Sequence, residues 1–288
     1  MPELPEVETV ARRLQARLLG AEIRAAEVLW PRTIVYPQPP ERFAMEVSGG
    51  VVHRVGRRAK SVVVYFDDGR VLTVALRMTG ALIVAAPGTA PDPHARVVFD
   101  LADGRQLRFR DARKFGRIGL YPGRGRRRVA DVFARHGPEP LAPSFSAARL
   151  AGRLRRRSAR LKTLLLDQSF VAGVGNIYAD EALWRARLHP LRRADTLTEA
   201  EIRRLHRAIR AALREGLAGG GASYRDYVDP DGEPGLAAER MRVYRRTGEP
   251  CFRCGRPIER IVVGARATHY CSRCQPAPVE PASVDQQP

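Results

Sequence analysis

The pattern of apolar and polar positions divides the chain into a short helical start, a long β-rich region and a helical second half. Apolar residues recur every three or four positions across 3–19, and Gly20 can end a helix there. From about 22 to 121, short apolar runs alternate with turn residues, and two pairs of runs flank Asp68-Gly69 and Asp103-Gly104. This pattern predicts an amino-terminal helix followed by a β-sandwich or barrel with two tight hairpins.

The second half shows the period of amphipathic helices. Thr198 and Glu201 form a capping-box pattern ahead of an apolar stripe whose opposite face carries arginines, and Gly219-Gly220-Gly221 ends that helix. No clear period follows over 222–240, where we predict a mobile loop. The predicted organisation is an α+β protein of two domains. Its segments are a β domain (2–121), a linker (122–143), a helical domain (144–240), a zinc finger (241–275) and a disordered tail (276–288).

The composition indicates the charge of a binding partner. The 288 residues contain 50 Lys+Arg and 31 Asp+Glu, a net charge of +19, which favours a polyanion such as nucleic acid as partner. Only three of these cations are lysines, which indicates a genomic bias toward arginine codons, so the net charge alone is weak evidence for a nucleic-acid partner. No apolar run approaches the roughly 20 residues that cross a bilayer, and no signal-peptide pattern is present. We expect a cytoplasmic protein with no membrane partner.

All four cysteines lie in one short module near the carboxyl end. They form two Cys-x-x-Cys pairs, Cys251 with Cys254 and Cys271 with Cys274, separated by sixteen residues. This spacing is typical of a tetrahedral four-thiolate zinc site. Because four thiolates leave no coordination position open, we predict one structural Zn²⁺. Arg266 lies in a predicted turn between the pairs, either as a solvated charge or as a guanidinium directed at a phosphate.

The amino terminus contains a group with unusual chemistry. Proline at position 2 permits removal of Met1, which would leave a secondary amine that titrates near pH 8. Such an amine can attack an electrophilic sugar carbon and form an iminium. The plainer alternative is a processed terminus with no catalytic role, in which Glu3 only complements the positive end of the first helix.

Seven motifs in a fixed order carry a resemblance to a known family. They are Met1–Thr9, Arg57–Lys60, Arg77–Gly80, Asp111–Gly116, Leu166–Gln168, Ala172–Glu181 and the cysteine module. The chain resembles the bacterial formamidopyrimidine-DNA glycosylases, collinearly from Pro2 to Cys274. The resemblance implies a β-sandwich with the amino-terminal helix, then a helix–two-turn–helix domain with a zinc finger, and double-stranded damaged DNA bound in the cleft between them.

The resemblance also implies a reaction. The family excises oxidised purines, such as 8-oxoguanine and formamidopyrimidines, from duplex DNA and then cleaves the strand at the abasic site, in base excision repair. Pro2 is implied as the nucleophile, Glu3 as the acid that assists opening of the sugar ring, Lys60 as the cation of β-elimination and Arg266 as the residue of δ-elimination. A lysine retained in a chain so rich in arginine supports a specific role for Lys60.

A flipped base leaves a void in the duplex, and intercalating side chains offset the lost stacking. The resemblance implies Met78, Arg113 and Phe115 for this task, with Arg113 facing the orphaned base. Taken alone, Met78 and Phe115 would more often be core residues, and the resemblance reverses that preference. Further contacts with DNA are implied for His94, Arg157, Lys162 and Asn176. Of these, Asn176 follows a Gly-x-Gly sequence at a predicted helix start, where backbone amides can bind phosphate.

Three positions depart from the family pattern, and three other functions stay open. Arg77 and Ala112 stand where the family often has glycine and proline, and Leu236 stands near a usual aromatic on the loop that covers the flipped base. The alternatives are an endonuclease VIII-like glycosylase for oxidised pyrimidines, a non-catalytic lesion-binding paralogue and a zinc-ribbon protein of RNA or ribosomes. We expect a monomer in the bacterial cytoplasm, associated with the nucleoid when bound to DNA.

Overall fold

The computed structural model describes residues 1–123, 129–224 and 226–278, and these form two compact units. The first unit combines Met1–Glu139 with Leu213–Arg240, and the second combines Pro140–Ala212 with the chain from Met241 onward. The predicted helical domain of 144–240 therefore differs from the observed division at its carboxyl-terminal part. Within the predicted linker and tail, 124–128 and 279–288 lie outside the described residues.

The first unit is built mainly of antiparallel strands. Its helices and strands are α1 (Leu4–Leu18), β1 (Glu22–Val28), β2 (Ile34–Tyr36), α2 (Pro40–Val47), β3 (Gly50–Arg58), β4 (Ser61–Phe66), β5 (Val71–Ala75), β6 (Gly80–Ala85), β7 (Ala95–Leu101), β8 (Gln106–Asp111), β9 (Arg117–Tyr121) and α3 (Val129–Phe133). The strand order is β2-β9-β5-β4-β3-β1-β7-β8-β6; β2 and β9 pair in parallel, and the other neighbouring strands in this order pair antiparallel. The predicted hairpins are confirmed as β4–β5 and β7–β8.

Apolar side chains from both halves of this strand order form one core. β1 and β3 join the halves through only two registered residue pairs, Glu22 with Val51 and Ile23 with Gly50. The buried core side chains include Val62, Val64, Leu72 and Val74 from one half and Val97, Phe99, Leu107 and Phe109 from the other. Helix α1 contributes Val7, Val10, Leu14 and Leu18, the positions that its period predicts. The sandwich prediction is confirmed.

The segment from Leu213 to Arg240 belongs to the first unit because it bonds to α1. The main-chain N–H of Ala222 donates to Glu6 Oε1 at 2.8 Å, and the buried Tyr227 hydroxyl donates to the carbonyl of Glu6 at 3.3 Å. Gly221 has φ +90°, and a Cβ there would lie 2.9 Å from the Glu6 side chain, so glycine is required. In the predicted loop over 222–240, the described residues include a bridge between Ala222 and Leu236 and a 3₁₀ turn at Ala237–Arg240, and Arg225 lies outside the described residues.

The second unit is helical apart from one hairpin. Its helices and strands are α4 (Ala147–Leu154), α5 (Leu161–Leu166), α6 (Asn176–Ala186), α7 (Glu199–Ala218, whose last turns belong to the first unit), β10 (Glu259–Val263) and β11 (Arg266–Tyr270). The predicted capping box is confirmed: the N–H of Thr198 donates to Glu201 at 2.8 Å and the N–H of Glu201 donates to Thr198 Oγ1 at 3.3 Å. Among the described residues, no helix combines the length and apolarity that crossing a membrane requires.

Candidate active site

The amino terminus is fixed against the first helix. Pro2 and Glu3 are buried, whereas Met1 is 52% exposed. Glu3 is the N-cap of α1, its main-chain N–H donates to Glu6 Oε2 at 2.8 Å, and its side chain completes the capping box. Removal of Met1 would therefore place the amine of Pro2 at a defined position, held by the cap that follows it.

Lys60 lies in the two-residue turn between β3 and β4, and one carboxylate fixes that turn. Glu139 accepts hydrogen bonds from the Ala59 N–H at 2.7 Å and from Arg58 Nη1 at 2.6 Å, and it pairs with Arg57 Nη1 at 2.6 Å. Burial by itself raises the pKa of Glu139, but the Arg57 charge and the N–H donors outweigh it and hold that pKa below its ordinary value. The carboxylate thus stays ionised against the turn.

The same ion-pair cluster reaches the first helix. Arg57 Nε donates to Glu8 Oε2 at 2.9 Å while its Nη1 binds Glu139, and the Arg57 side chain is only 8% exposed. Glu8 lies on α1, one turn beyond the N-cap. The cluster of Glu8, Arg57 and Glu139 therefore connects the element that carries Pro2 with the turn that carries Lys60.

The three residues implied to fill the void in the duplex lie together on the surface of the first unit. Met78 is 37% exposed on the β5–β6 loop, and Phe115 is 46% exposed on the β8–β9 loop. Arg113 Nη1 lies 3.2 Å from the sulfur of Met78, and its guanidinium lies 4.8 Å from the centre of the Phe115 ring. These side chains are not core residues, and they form one exposed cluster.

Asp111 holds the loops that carry this cluster. It is 1% exposed; Oδ1 accepts hydrogen bonds from the Thr79 hydroxyl and from the Arg113 N–H, and Oδ2 accepts one from the Gly116 N–H at 2.7 Å. Its own N–H donates to the carbonyl of His94 at 2.8 Å. Asp111 therefore organises the backbone beside four residues implied to contact DNA, through its carboxylate at three of them and through its main-chain N–H at His94.

His94 is exposed at the edge of a cavity in the first unit. Its main-chain N–H donates to Asp92 Oδ1 at 2.7 Å, and Asp92 also pairs with Arg110 at 3.0 Å. The cavity has a volume of about 330 Å³. It is lined by Thr79, Ala81, His94, Arg110, Ala112, Asp226 and Val228.

In the second unit, the predicted phosphate-binding helix start and the finger arginine are neighbours. Asn176 begins α6, directly after the N-cap Gly175, and its amide Nδ2 donates to the carbonyl of Ala267 at 2.9 Å. Arg266, the residue before Ala267, is exposed at the start of β11. Arg157 is also exposed, after the end of α4.

The burial of Lys162 contradicts the contact with DNA that the resemblance implied for it. Its side chain is 0% exposed, and its ammonium donates to Asp180 Oδ1 at 2.6 Å and to the carbonyl of Asn176 at 3.0 Å. A buried ammonium bound to a carboxylate does not reach a phosphate on the surface of this unit. Lys162 instead supports the helix start that carries Asn176, because its ion pair and hydrogen bond are internal.

The four cysteines have the geometry of a zinc site. Their sulfurs lie within 4.8 Å of one another, with Cys254 to Cys271 at 3.5 Å and Cys251 to Cys274 at 3.9 Å. A tetrahedron of thiolates about 2.3 Å from zinc has similar edges. Burial opposes ionisation of Cys251, but N–H donors, including the indole of Trp184, lower its pKa to about 6. The donor set fits one structural Zn²⁺, as predicted.

Comparison with known proteins identifies the family. The chain matches three family models. They are the formamidopyrimidine-DNA glycosylase N-terminal domain over 1–118, the H2TH domain of the same enzyme over 136–227 and a zinc finger found in FPG and IleRS over 248–277. It is 50% identical to the formamidopyrimidine-DNA glycosylase of Chloroflexus aggregans, a match that covers 96% of this chain and 98% of that protein. The chain belongs to the formamidopyrimidine-DNA glycosylase family.

Further members of the family show the same relationship. The enzyme of a Roseiflexus species is 48% identical over 96% of this chain and its own full length. The crystal structure of the Thermus thermophilus enzyme is 43% identical with a TM-score of 0.85, covering 95% of this chain and 98% of that one. The Lactococcus lactis enzyme, in complex with DNA containing N7-benzyl-Fapy-dG, is 35% identical with a TM-score of 0.88, covering 96% and 100%.

Sequence reasoning missed the acidic residues that hold these sites. Asp111, Asp180 and Glu181 stand inside the recognised motifs, but no role was assigned to them, and Glu139 was not singled out. Glu181 Oε1 accepts three main-chain hydrogen bonds, from Arg242 and the two residues after it, at 2.9 to 3.1 Å. For Asp180 and Glu181, the available signal was a carboxylate within an apolar helical stretch, because such a group must find partners when it is buried.

Proposed function

We propose that this chain is a DNA glycosylase and abasic-site lyase that removes oxidised purines from duplex DNA in base excision repair. The observation that carries the proposal is the buried, capped terminus Pro2-Glu3, linked through Glu8, Arg57 and Glu139 to the turn of Lys60. Membership of the family, over nearly the whole length of its members, supports the same activity.

The first step is attack of the Pro2 nitrogen, after removal of Met1, on C1′ of the damaged nucleotide. The bond from C1′ to the base breaks, and the base leaves with the electron pair and takes up a proton. Glu3 donates a proton to the ring oxygen O4′, the sugar opens, and the nitrogen and C1′ form an iminium. The burial of Glu3 beside the reacting nitrogen suits a proton donor that acts away from bulk water.

Two eliminations then cleave the strand. In the first, a proton leaves C2′ and the bond between C3′ and its oxygen breaks, so that the 3′ phosphate departs; Lys60 assists this proton transfer. In the second, a proton leaves C4′ and the bond between C5′ and its oxygen breaks, with Arg266 stabilising the phosphate that departs. Hydrolysis of the iminium frees Pro2 and leaves a one-nucleotide gap with phosphates at both ends.

Recognition begins with extrusion of the damaged base. Met78, Arg113 and Phe115 enter the space that the base leaves, and Arg113 meets the orphaned base. The cavity beside them is of a size that can hold an extruded base. Backbone contacts come from His94, Arg157 and Asn176.

A second candidate activity is excision of oxidised pyrimidines. It is favoured by one similar structure, the Lactococcus lactis enzyme in complex with DNA containing an oxidised pyrimidine. Leu236 stands near the position where the resemblance implies an aromatic on the loop that covers the flipped base. We place this activity second because every curated relative named above is a formamidopyrimidine-DNA glycosylase.

Borohydride trapping tests the proposal. With a duplex containing 8-oxoguanine, the reduced iminium will appear as a covalent protein–DNA adduct, and Pro2→Gly will reduce strand cleavage by at least about a hundredfold. Pro87→Gly, in an exposed loop of the same unit, is the matched control and will leave cleavage unchanged. A panel that adds thymine glycol separates purine from pyrimidine specificity, and absence of an adduct with every oxidised base would favour a non-catalytic lesion binder.

Assembly and location complete the proposal. We expect one chain to act alone, because each predicted catalytic group comes from this chain, and sedimentation of the enzyme–DNA complex at a one-to-one ratio checks it. In a bacterial cell we expect the protein in the cytoplasm, with the nucleoid-bound fraction rising after oxidative damage, which imaging of a carboxyl-terminal fusion measures.

A further inference from the structure

A buried ion-pair network lies between α5, α6 and the finger hairpin of the second unit. The Asp180 carboxylate is 1% exposed; Oδ1 accepts from the Lys162 ammonium at 2.6 Å, and Oδ2 accepts from the His269 main-chain N–H at 2.9 Å. The His269 ring nitrogen Nδ1 lies 3.0 Å from the same Oδ2. Both carboxylate oxygens therefore accept hydrogen bonds, Oδ1 from a residue of α5 and Oδ2 from a residue of β11.

The network joins the phosphate-binding helix start to the strand that carries the finger arginine. Lys162 also donates to the carbonyl of Asn176 at 3.0 Å, and the Asn176 side chain donates to the carbonyl of Ala267 at 2.9 Å. Ala267 and His269 lie one and three residues after Arg266 on β11. Two contacts of different chemistry thus fix the register between α6 and β11 within a few residues of Arg266.

A buried ion pair of this kind adds little net free energy to the stability of a fold. Burying an ammonium and a carboxylate carries a desolvation penalty that their mutual attraction offsets only in a well-fixed geometry, and a pair of apolar side chains often stabilises as well. Such a pair would not define where β11 lies along α6, because apolar contacts are not directional. A directional network at this position is therefore suited to positioning.

We propose that Asp180 is a positioning residue that holds Arg266 in register with Asn176, so that δ-elimination follows β-elimination efficiently. The inference rests on the proposed function, in which Arg266 stabilises the 5′ phosphate as a proton leaves C4′ and the bond from C5′ to its oxygen breaks. Asp180 touches neither DNA nor the reacting atoms. It acts through the main chain of β11, which it binds at His269.

The experiment follows the two eliminations separately on a duplex with a preformed abasic site. The products of β- and β,δ-elimination are resolved on a sequencing gel under single turnover, and borohydride trapping gives the fraction of enzyme that forms the iminium. Asp180→Asn will lower the rate of δ-elimination relative to β-elimination by about tenfold or more, while the trapped adduct still forms. Arg266→Ala serves as the reference for a lost δ-elimination.

Two variants separate positioning from folding. Asp180→Asn leaves the Lys162 ammonium buried without its carboxylate, so the double variant Lys162→Met with Asp180→Leu removes both charges at similar volume. It will fold, retain zinc and show the same low ratio of δ- to β-elimination. Asp195→Asn is the matched control, because Asp195 pairs with Arg193 on the surface, and its ratio will equal that of the wild type.

The outcomes distinguish the inference from the proposed function. A wild-type chain that forms no adduct and cleaves no abasic site contradicts the proposed function. A wild type that performs both eliminations, together with folded Asp180 variants whose ratio of δ- to β-elimination is unchanged, contradicts the positioning role of Asp180. A proportional fall of both rates that matches a smaller trapped fraction also contradicts it, because lost folding alone would explain it.

Discussion

Two buried aspartates, one in each compact unit, perform a similar task with different chemistry. Asp111 and Asp180 are each 1% exposed, and each uses both carboxylate oxygens. Asp111 accepts only from uncharged donors, a hydroxyl and main-chain N–H groups, whereas Asp180 pairs with the ammonium of Lys162. Loss of Asp111 would therefore loosen loops, but loss of Asp180 would leave a buried charge without its partner.

The difference extends to the residues around each aspartate. In the first unit, the side chains implied to enter the duplex stand exposed on loops, and the carboxylate lies beneath them. In the second unit, Lys162 is buried, and the side-chain amide of Asn176 donates to the carbonyl of Ala267 in the finger hairpin. The second unit also exposes Arg157 and Arg266, but its helix start and finger hairpin depend on a buried ion pair and a metal, whereas neutral hydrogen bonds hold the exposed loops of the first unit.

Removal of zinc should give the largest difference between the two units, because it should unfold part of the second unit and leave the first unit folded. The hairpin of β10 and β11 is too small to fold alone, and structural zinc contributes on the order of 10 kcal/mol or more to such modules. Chelation under denaturant-free conditions will reduce strand cleavage by at least about a hundredfold while the β-sheet circular dichroism of the first unit persists. A purified, folded, metal-free chain with full cleavage would contradict the structural role of the metal.

Substitution of the two aspartates tests the comparison directly. Asp180→Asn will lower the free energy of unfolding of its unit by about 3 to 5 kcal/mol, because it leaves a buried ammonium unpaired. Asp111→Asn will cost about 1 to 3 kcal/mol, because it weakens hydrogen bonds from neutral donors only. Urea denaturation measures both. Equal losses would show that the Lys162 charge adds nothing to the difference.

Glu139 provides a charged counterpart to Asp111 within the first unit, because its carboxylate pairs with two arginines. Its pKa in the folded chain lies below its ordinary value, so its contribution is fully present above the unfolded pKa of about 4.3 and is lost as the pH falls through the folded value. Glu139→Gln will therefore cost about 2 kcal/mol at neutral pH, and wild type and variant will converge once the pH falls below the folded pKa.

The control for this prediction is Glu46→Gln. Glu46 pairs with Arg42 on the exposed face of α2, four residues apart, where water and salt screen the two charges, so Glu46→Gln will leave the free energy of unfolding nearly unchanged at any pH. A difference between wild type and Glu139→Gln that stayed constant from pH 7 to pH 3 would show that ionisation of Glu139 does not stabilise the turn of Lys60.

Local patterns in the sequence were sufficient for much of the fold. The period of α1, the turn dipeptides of both hairpins, the capping box at Thr198 and the spacing of the cysteines each depend on residues close in the chain. Each was predicted and is confirmed. The family and its glycosylase activity followed from motif order, and the comparisons agree.

The unpredicted features depend on partners far along the chain. The burial of Lys162 requires Asp180 and the finger strand, and nothing in the local sequence shows that an ammonium is taken out of water there. The segment after Leu213 joins the first unit because Ala222 bonds to Glu6, more than two hundred residues earlier. The catalytic and DNA-contacting roles of individual residues stay predictions, since they concern DNA bound to the chain.

Mass spectrometry of the borohydride-reduced complex tests the central claim most directly. Peptide mapping of the purified, fully active chain and of its adduct with an 8-oxoguanine duplex will show Met1 absent and the sugar remnant attached to the nitrogen of Pro2. An initiator methionine still present on fully active protein, or a remnant carried by Lys60 with Pro2 unmodified, would contradict the claim that the terminal proline is the nucleophile.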